Sequence, residues 1–120
     1  MSHLVTIKTQ VRDPIAVTSA CARLQLPAPV HSTVRLFTSE ETGLAVQLTG
    51  WKFPVVCQTE TGELKYDDFG GRWGEKAQLD RFLQAYAVEV VKLQARRQGQ
   101  TAIEQPLADG SIRVQIAMTA

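Results

Sequence analysis

The chain contains little of what a disulfide-stabilised or metal-binding protein needs. It has two cysteines, Cys21 and Cys57, and two histidines, His3 and His31, among 120 residues. Two isolated cysteines are too few for a disulfide framework, and the spacing of these four residues matches no zinc-binding pattern. Both cysteines have hydrophobic neighbours at positions typical of buried residues, so we interpret them as small core side chains. We therefore expect no bound metal and no cofactor.

Long apolar runs and a strong excess of one charge are also missing. No apolar run approaches the roughly 18 residues of a membrane-spanning helix, and the first residues lack the pattern of a signal peptide. These absences predict a cytosolic protein without a membrane partner. Thirteen Lys and Arg against twelve Asp and Glu give a net charge of +1. Such a balance provides no basic field for nucleic-acid binding, which stays open only through a local basic patch.

The length is sufficient for one domain with one hydrophobic core. We find no internal repeat, linker or low-complexity segment, and we predict a single domain over residues 1–120. Alternating residues predict a first strand near Val5–Val11. Asp13 followed by Pro14 is typical of a helix start, because the carboxylate caps free N–H groups and proline presets the backbone.

Short apolar runs and turn residues predict a series of strands after this helix. The predicted strands cover residues 34–37, 44–48, 53–57 and 64–66, with a polar turn over 39–43 and His31 in a loop. Apolar residues at spacings of three and four predict a long helix from Glu75 to Gln98. The Asp109-Gly110 pair predicts a closing hairpin of residues 101–105 with 112–116.

The predicted order is strand, helix, three or four strands, helix, hairpin. Strands that follow one another directly favour an α+β fold with a mainly antiparallel sheet and both helices packed on one face. The other sheet face then meets water or a partner. If the two terminal strands are neighbours, Lys8, Arg12 and Arg113 share one polar surface.

No catalytic motif is present, so we expect a protein that is not an enzyme. The glycine-rich segment 70–74 precedes a helix, as phosphate-binding loops do, but it matches neither common phosphate-binding pattern. We interpret it as a structural loop in which Trp73 caps the core. An enzymatic site at residues 66–73, built on Tyr66, Asp67, Asp68 and Arg72, is the least favoured alternative.

The two ends of the chain carry a further pattern. At the start stand residues 1–3, 6–9 and 11–13, and at the end Phe82, Tyr86-Ala87, Gln98-Gly99, Glu104-Gln105 and residues 109–113. In this order and spacing they resemble a conserved uncharacterised family of cyanobacteria, algal plastid genomes and other bacteria, the domain of unknown function 1257. The middle of the chain, with Trp51–Pro54 and Gly70–Trp73, departs from that pattern. The resemblance carries over no catalytic residues and implies an accessory role beside AAA-type ATPases.

Two binding hypotheses remain. The first is an accessory or adaptor protein that binds a protein partner through the polar sheet face or the Gly-Gly-Arg-Trp loop. Its candidate partner-binding residues are Lys8, Arg12, Arg72, Trp73 and Arg113. The second is a nucleic-acid-binding module in which basic residues contact phosphates and aromatic rings stack on bases. Its candidate residues are Lys8, Arg12, Lys52, Arg72 and Arg113, with Trp51 or Trp73 as the stacking ring. A homodimer stays open, because small domains often cover a free sheet edge by self-association.

Overall fold

The computed structural model describes residues 4–118, which form two helices and seven strands and confirm the predicted α+β class. The elements in chain order are β1 (Val5–Lys8), α1 (Pro14–Arg23), β2 (Val30–Arg35), β3 (Glu40–Val46), β4 (Val55–Gln58), β5 (Glu63–Tyr66), α2 (Lys76–Arg97), β6 (Gln100–Pro106) and β7 (Ile112–Met118). His3, together with the start of the family resemblance, lies outside the described residues.

Five strands form an antiparallel sheet in the order β1-β5-β4-β3-β2, and β6 pairs with β7 in a separate hairpin. Ile7, Leu64, Cys57 and Leu44 are consecutive partners across four strands of the large sheet. Because side chains alternate between the faces of a strand, these residues and their second neighbours share one face. Both helices pack on that face.

The main core lies between the helices and this sheet face. Its buried members come from α1, α2, the strands and the connecting segments: Val11, Ala16, Val17, Ala20, Cys21, Val46, Leu48, Trp51, Val55, Cys57, Leu64, Tyr66, Leu79, Phe82, Ala85 and Tyr86. The interpretation of Cys21 and Cys57 as core residues is confirmed, since both have no exposed surface. Burial raises the pKa of these thiols to about 11 and about 12.

The start of α1 is fixed by its cap and by a tyrosine from α2. The Asp13 carboxylate accepts hydrogen bonds from the N–H groups of Ile15 and Ala16, at 2.9 and 3.3 Å, which confirms the predicted cap. The Tyr86 hydroxyl accepts from the backbone N–H groups of Arg12 and Asp13, at 3.0 Å each. Tyr86 therefore attaches the segment between β1 and α1 to the long helix.

The β2–β3 hairpin bends across the sheet face that the helices leave open. The strand register puts the turn of this hairpin at the opposite end of the sheet from the end of β5. Yet Glu41 pairs with Lys65 at 3.1 Å, and the Phe37 ring lies 5.4 Å from that of Trp73, which follows β5. A hairpin with both contacts must fold back over β4.

Gly43 of β3 packs against β4 without room for a side chain. A Cβ atom on Gly43 would lie 2.8 Å from the Cys57 carbonyl oxygen and 2.9 Å from a Val56 methyl group. Val56 and Leu36 are buried although neither belongs to the helix-side core. The bent hairpin accounts for their burial, and part of the second sheet face is covered by the chain itself.

The β6–β7 hairpin packs against α2 instead of joining the large sheet. The Glu104 carboxylate of β6 contacts Arg23 of α1 and lies 2.9 Å from Lys92 Nζ of α2. The Gln84 amide donates to the carbonyl of Gly110 at the hairpin turn. Lys92 and Gln84, which lie at two different positions along α2, both contact the hairpin. The hairpin therefore lies beside this helix.

Several boundaries differ from the prediction. The terminal strands β1 and β7 lie in different sheets, so the single polar surface imagined for Lys8, Arg12 and Arg113 does not form. The turn predicted over residues 39–43 is wrong, because Leu36 N–H donates to the Ser39 carbonyl and β3 begins at Glu40. His31 lies in β2 and not in a loop. The long helix and the closing hairpin are confirmed to within a few residues.

In residues 4–118, neither helix has the length and apolar character needed to span a bilayer.

Candidate functional site: an aromatic–cation cluster

Three segments that are distant in the sequence bring four aromatic rings together at the surface. Phe37 comes from the β2–β3 turn, Phe53 from the connection before β4, and Phe69 and Trp73 from the loop after β5. The centroid of Trp73 lies 5.4 Å from that of Phe37, 5.6 Å from Phe53 and 4.6 Å from Phe69. Together with Lys52 and Arg72, these residues form what we call the aromatic–cation cluster.

The loop over residues 67–74 holds its shape through backbone hydrogen bonds. The Asp68 carbonyl accepts from the N–H groups of Gly71 and Trp73, at 3.0 and 2.9 Å. The Asp68 carboxylate accepts from Gly70 N–H at 3.2 Å. Phe69, Gly70 and Gly71 all have positive φ. Glycine adopts this conformation without steric strain, so two of the three positions are unstrained. The side chains of Phe69 and Trp73 are therefore presented by an ordered turn.

The inner side of the loop rests on a buried tryptophan. Trp51 is 5% exposed, and its indole N–H donates to the Glu75 carbonyl at 3.1 Å. A Cβ atom on Gly74 would lie 2.3 Å from the Trp51 ring, so the loop backbone packs directly on that ring. Trp51 thus supports the loop from below. The hypothesis that Trp51 is a surface stacking platform is wrong because the ring is inside the core.

The two cations of the cluster lie on its rings. The Lys52 ammonium is 4.5 Å from the Trp73 centroid, and the Arg72 guanidinium carbon is 5.4 Å from that of Phe69. These distances fall within the range of cation–π attraction. The Trp73 and Phe69 rings are also stacked on each other, with an angle of 22° between their planes. Much of the ring surface of both residues is therefore already in contact with the cluster itself.

Phe37 is the ring that the cluster offers to solvent. Phe37 is 55% exposed, whereas Phe53, Phe69 and Trp73 are half-buried. An exposed phenylalanine backed by further rings is unusual on a surface that meets only water. The cluster can offer apolar contact at Phe37 and hydrogen-bond donors at Lys52 and Arg72.

The structure separates the predicted partner-binding residues into three places. Arg72 and Trp73 lie in the cluster. In the strand register, the backbone of Lys8 lies opposite Glu63 at the start of β5. The loop over residues 67–74 follows the other end of that strand. Arg12 is exposed beyond β1, near the turn that contains Gly62.

Arg113 is exposed on the separate β6–β7 hairpin. The structure therefore joins Arg72 and Trp73 with each other but not with Lys8, Arg12 or Arg113.

The residues of the enzymatic alternative differ in burial. Tyr66 and Asp67 are buried, Asp68 is half-buried in the loop backbone, and Arg72 is exposed over Phe69. Burial, with a further effect of nearby carboxylates, raises the pKa of Tyr66. Residues 4–118 contain no group of three or more His, Cys, Asp or Glu side chains that could hold a metal ion.

Sequence reasoning missed Phe37 as a site residue. It placed Phe37 inside a strand, whereas the ring lies in the turn after β2. Phe37 contacts Trp73 because β3 bends at Gly43. The alternation of residues and the turn preferences in the sequence do not predict this bend. The clustering of Lys52 and Phe53 with Trp73 could have been suspected, because both segments combine aromatic and basic residues.

No family model, curated protein or solved structure matches this chain. The resemblance of the chain ends to the cyanobacterial and plastid family therefore stays a prediction.

Proposed function

We propose that this protein is a non-enzymatic accessory protein that binds a protein partner through the aromatic–cation cluster. The observation that carries the proposal is the position of Phe37, which is 55% exposed and lies beside Trp73, the ring that also contacts Phe53, Phe69 and Lys52. Aromatic residues and arginine are enriched at the centres of protein interfaces, where they contribute much of the binding energy. A fixed cluster of this kind loses little conformational entropy on binding.

The polar sheet face is less well supported as the binding surface. It was expected to combine Lys8, Arg12 and Arg113, and Arg113 lies on the separate β6–β7 hairpin. The bent β2–β3 hairpin also covers part of that face, as the Glu41–Lys65 ion pair shows. We therefore assign the partner to the cluster.

A nucleic-acid partner fits the cluster less well than a protein does. Base stacking needs open ring faces, and Phe69, Trp73, Lys52 and Arg72 already cover one another. Phe37 is the one ring of the cluster that is mainly exposed. The net charge of +1 adds no general attraction for a phosphate backbone.

The test is an affinity capture from the cytosol of the source organism, the compartment that the sequence predicts, with nuclease in the wash. Wild-type protein is compared with Phe37→Ala and with Ile15→Ala, because Ile15 is 57% exposed on α1, away from the cluster. We expect a nuclease-resistant protein that the Ile15 variant retains and the Phe37 variant loses. An AAA-type ATPase, which the family resemblance implies, is the first candidate to look for.

Equal capture by all three proteins would contradict the assignment to the cluster. Recovery of nucleic acid, or of partners that nuclease removes, would favour the nucleic-acid alternative. Thermal unfolding of both variants checks that neither change disrupts the fold. Gel filtration of the wild type separately tests whether the captured protein is a second copy of the same chain.

A further inference from the structure

The cations of the aromatic–cation cluster have no acidic partner in the described part of the chain. Lys52 and Arg72 form no ion pair with any residue between 4 and 118, whereas Arg23, Lys65 and Lys92 each have a carboxylate within ion-pair distance. Lys52 and Arg72 lie against neutral aromatic rings, which attract a cation without neutralising its charge and leave its outward N–H groups without acceptors other than water.

These N–H groups are also held in place. The Lys52 ammonium is 5.6 Å from the Phe53 centroid as well as 4.5 Å from that of Trp73, so two rings restrict its position. Arg72 lies over the ring of Phe69, and a stacked guanidinium keeps the donors along its edge available. Donors that are already ordered cost less side-chain entropy when an acceptor binds.

The surface therefore combines an exposed apolar ring with two positioned cations. We propose that the cluster binds an acidic segment of its protein partner, with carboxylates on Lys52 and Arg72 and an apolar side chain against Phe37. This inference rests on the proposed function and adds the chemistry of the partner. Charge complementarity selects the acidic residues, and the exposed Phe37 ring selects the apolar residue beside them.

The surroundings favour an acidic peptide over a phosphate backbone. Asp68 lies within the cluster loop and Glu75 is exposed directly after it, so an acidic residue stands in the sequence on each side of Arg72. A nucleic acid carries a closely spaced row of charges that would pass near these carboxylates. A peptide can place one or two acidic side chains on the cations and neutral residues elsewhere.

The experiment is a selection from a random library of 12-residue peptides on the immobilised full chain. A parallel selection uses the Lys52→Met/Arg72→Met double variant, which keeps much of each apolar stem but removes both charges. The most enriched peptide is then labelled and its affinity is measured for the wild type, the double variant and Arg81→Met/Arg96→Met. The last variant removes two exposed cations of α2 and serves as the charge-matched control.

We expect the wild type to enrich peptides in which Asp or Glu stands beside Leu, Ile or Phe. The double variant should bind the labelled peptide at least about tenfold more weakly, whereas the α2 control should bind within about twofold of the wild type. Replacing Asp and Glu of that peptide by Asn and Gln should cause a loss of similar size.

Enrichment of neutral or basic peptides, no enrichment over the double variant, or equal losses in both double variants would each overturn the inference. The failure of the proposed function looks different. If capture of the cytosolic partner depends on Phe37 but is unchanged in Lys52→Met/Arg72→Met, the cluster binds a protein, and the inference that the bound segment is acidic is wrong. If neither Phe37 nor the cations matter to that capture, the proposed function itself fails.

Discussion

Lys52 and Trp73 are joined twice, once through the backbone and once through their side chains. Lys52 N–H donates to the Trp73 carbonyl at 2.8 Å, and the Lys52 ammonium lies 4.5 Å from the centroid of the indole. The backbone bond fixes the segment before β4 against the loop after β5. The side-chain contact at the surface therefore stands on a fixed base, which is what a preformed binding site requires.

The bend at Gly43 should control the exposed half of the cluster. In Gly43→Ala the new methyl group meets the Cys57 carbonyl, a backbone atom that cannot swing aside. We expect a loss of about 1–3 kcal/mol in the free energy of unfolding, measured by urea titration. We also expect weaker partner capture, because Phe37 loses its place beside Trp73.

Gly50→Ala is the control for that change. A Cβ at Gly50 meets no atom within 4 Å, although its φ of 76° makes alanine strained there. This variant should cost about 1 kcal/mol through backbone strain alone and leave partner capture intact. Equal capture by the two variants would show that the bend does not position Phe37.

The hydroxyl of Tyr86 should contribute measurably to stability. Tyr86→Phe keeps the ring but removes the acceptor for the N–H groups of Arg12 and Asp13. Unsatisfied donors of this kind cost about 1–3 kcal/mol, which urea unfolding can detect. Tyr66→Phe is the matched control, because the Tyr66 hydroxyl has no hydrogen bond with a described residue. A similar loss in both variants would mean that the Tyr86 hydroxyl has no special role.

The attachment of the β6–β7 hairpin should depend on the charge of Glu104. Hydrogen bonds from Arg23 and then from Lys92 lower the pKa of this carboxyl from 4.5 to about 2. A depressed pKa means that the stabilisation is fully present above pH 4.5 and is lost as the pH falls towards 2. The protection factors of the β6 and β7 amides, which compare the measured exchange with the intrinsic exchange at each pH, should therefore fall across that window.

Glu104→Gln should remove most of this pH dependence. At pH 7 the variant hairpin should exchange faster than the wild type, and the difference should shrink as the pH approaches 2. Glu60→Gln, at an exposed position in the β4–β5 turn, should exchange like the wild type. A Glu104 variant with the wild-type pH profile would contradict the assigned role of the carboxylate.

The two cysteines should be unreactive in the folded protein. Burial raises the pKa of Cys21 to about 11 and that of Cys57 to about 12, so little thiolate exists at pH 8. A thiol reagent such as DTNB should label neither residue in the native protein and both in 6 M guanidinium chloride. Rapid labelling of either cysteine under native conditions would show that the core opens locally.

The parts of the fold that local chemistry determines could be predicted from the sequence. Asp13 and Pro14 specify the start of α1, the apolar spacing specifies α2, and Asp109-Gly110 specifies the β6–β7 turn. Each signal acts within a few residues, where backbone capping and side-chain periodicity have direct consequences.

The parts that depend on contacts between distant residues could not be predicted. The alternation of residues assigns the two faces of β7. It does not predict whether the hairpin pairs with β1 or packs on α2. In the structure the hairpin packs on α2, where Glu104 contacts Arg23 and Lys92. Glycine at position 43 reads as a turn residue, whereas in the structure it allows a continuous strand to fold over Val56. The candidate site depends on that fold-back, so Arg72 and Trp73 were foreseen and Phe37 was not.

Site-specific photo-crosslinking in the cytosol of the source organism tests whether a protein partner binds at Phe37. Benzoylphenylalanine replaces Phe37 in one protein and Ile15 in another, since the two residues are almost equally exposed. We expect a nuclease-resistant crosslink to a protein from position 37 and none from position 15. The same crosslinks from both positions, or crosslinks from position 37 only to nucleic acid, would contradict this expectation.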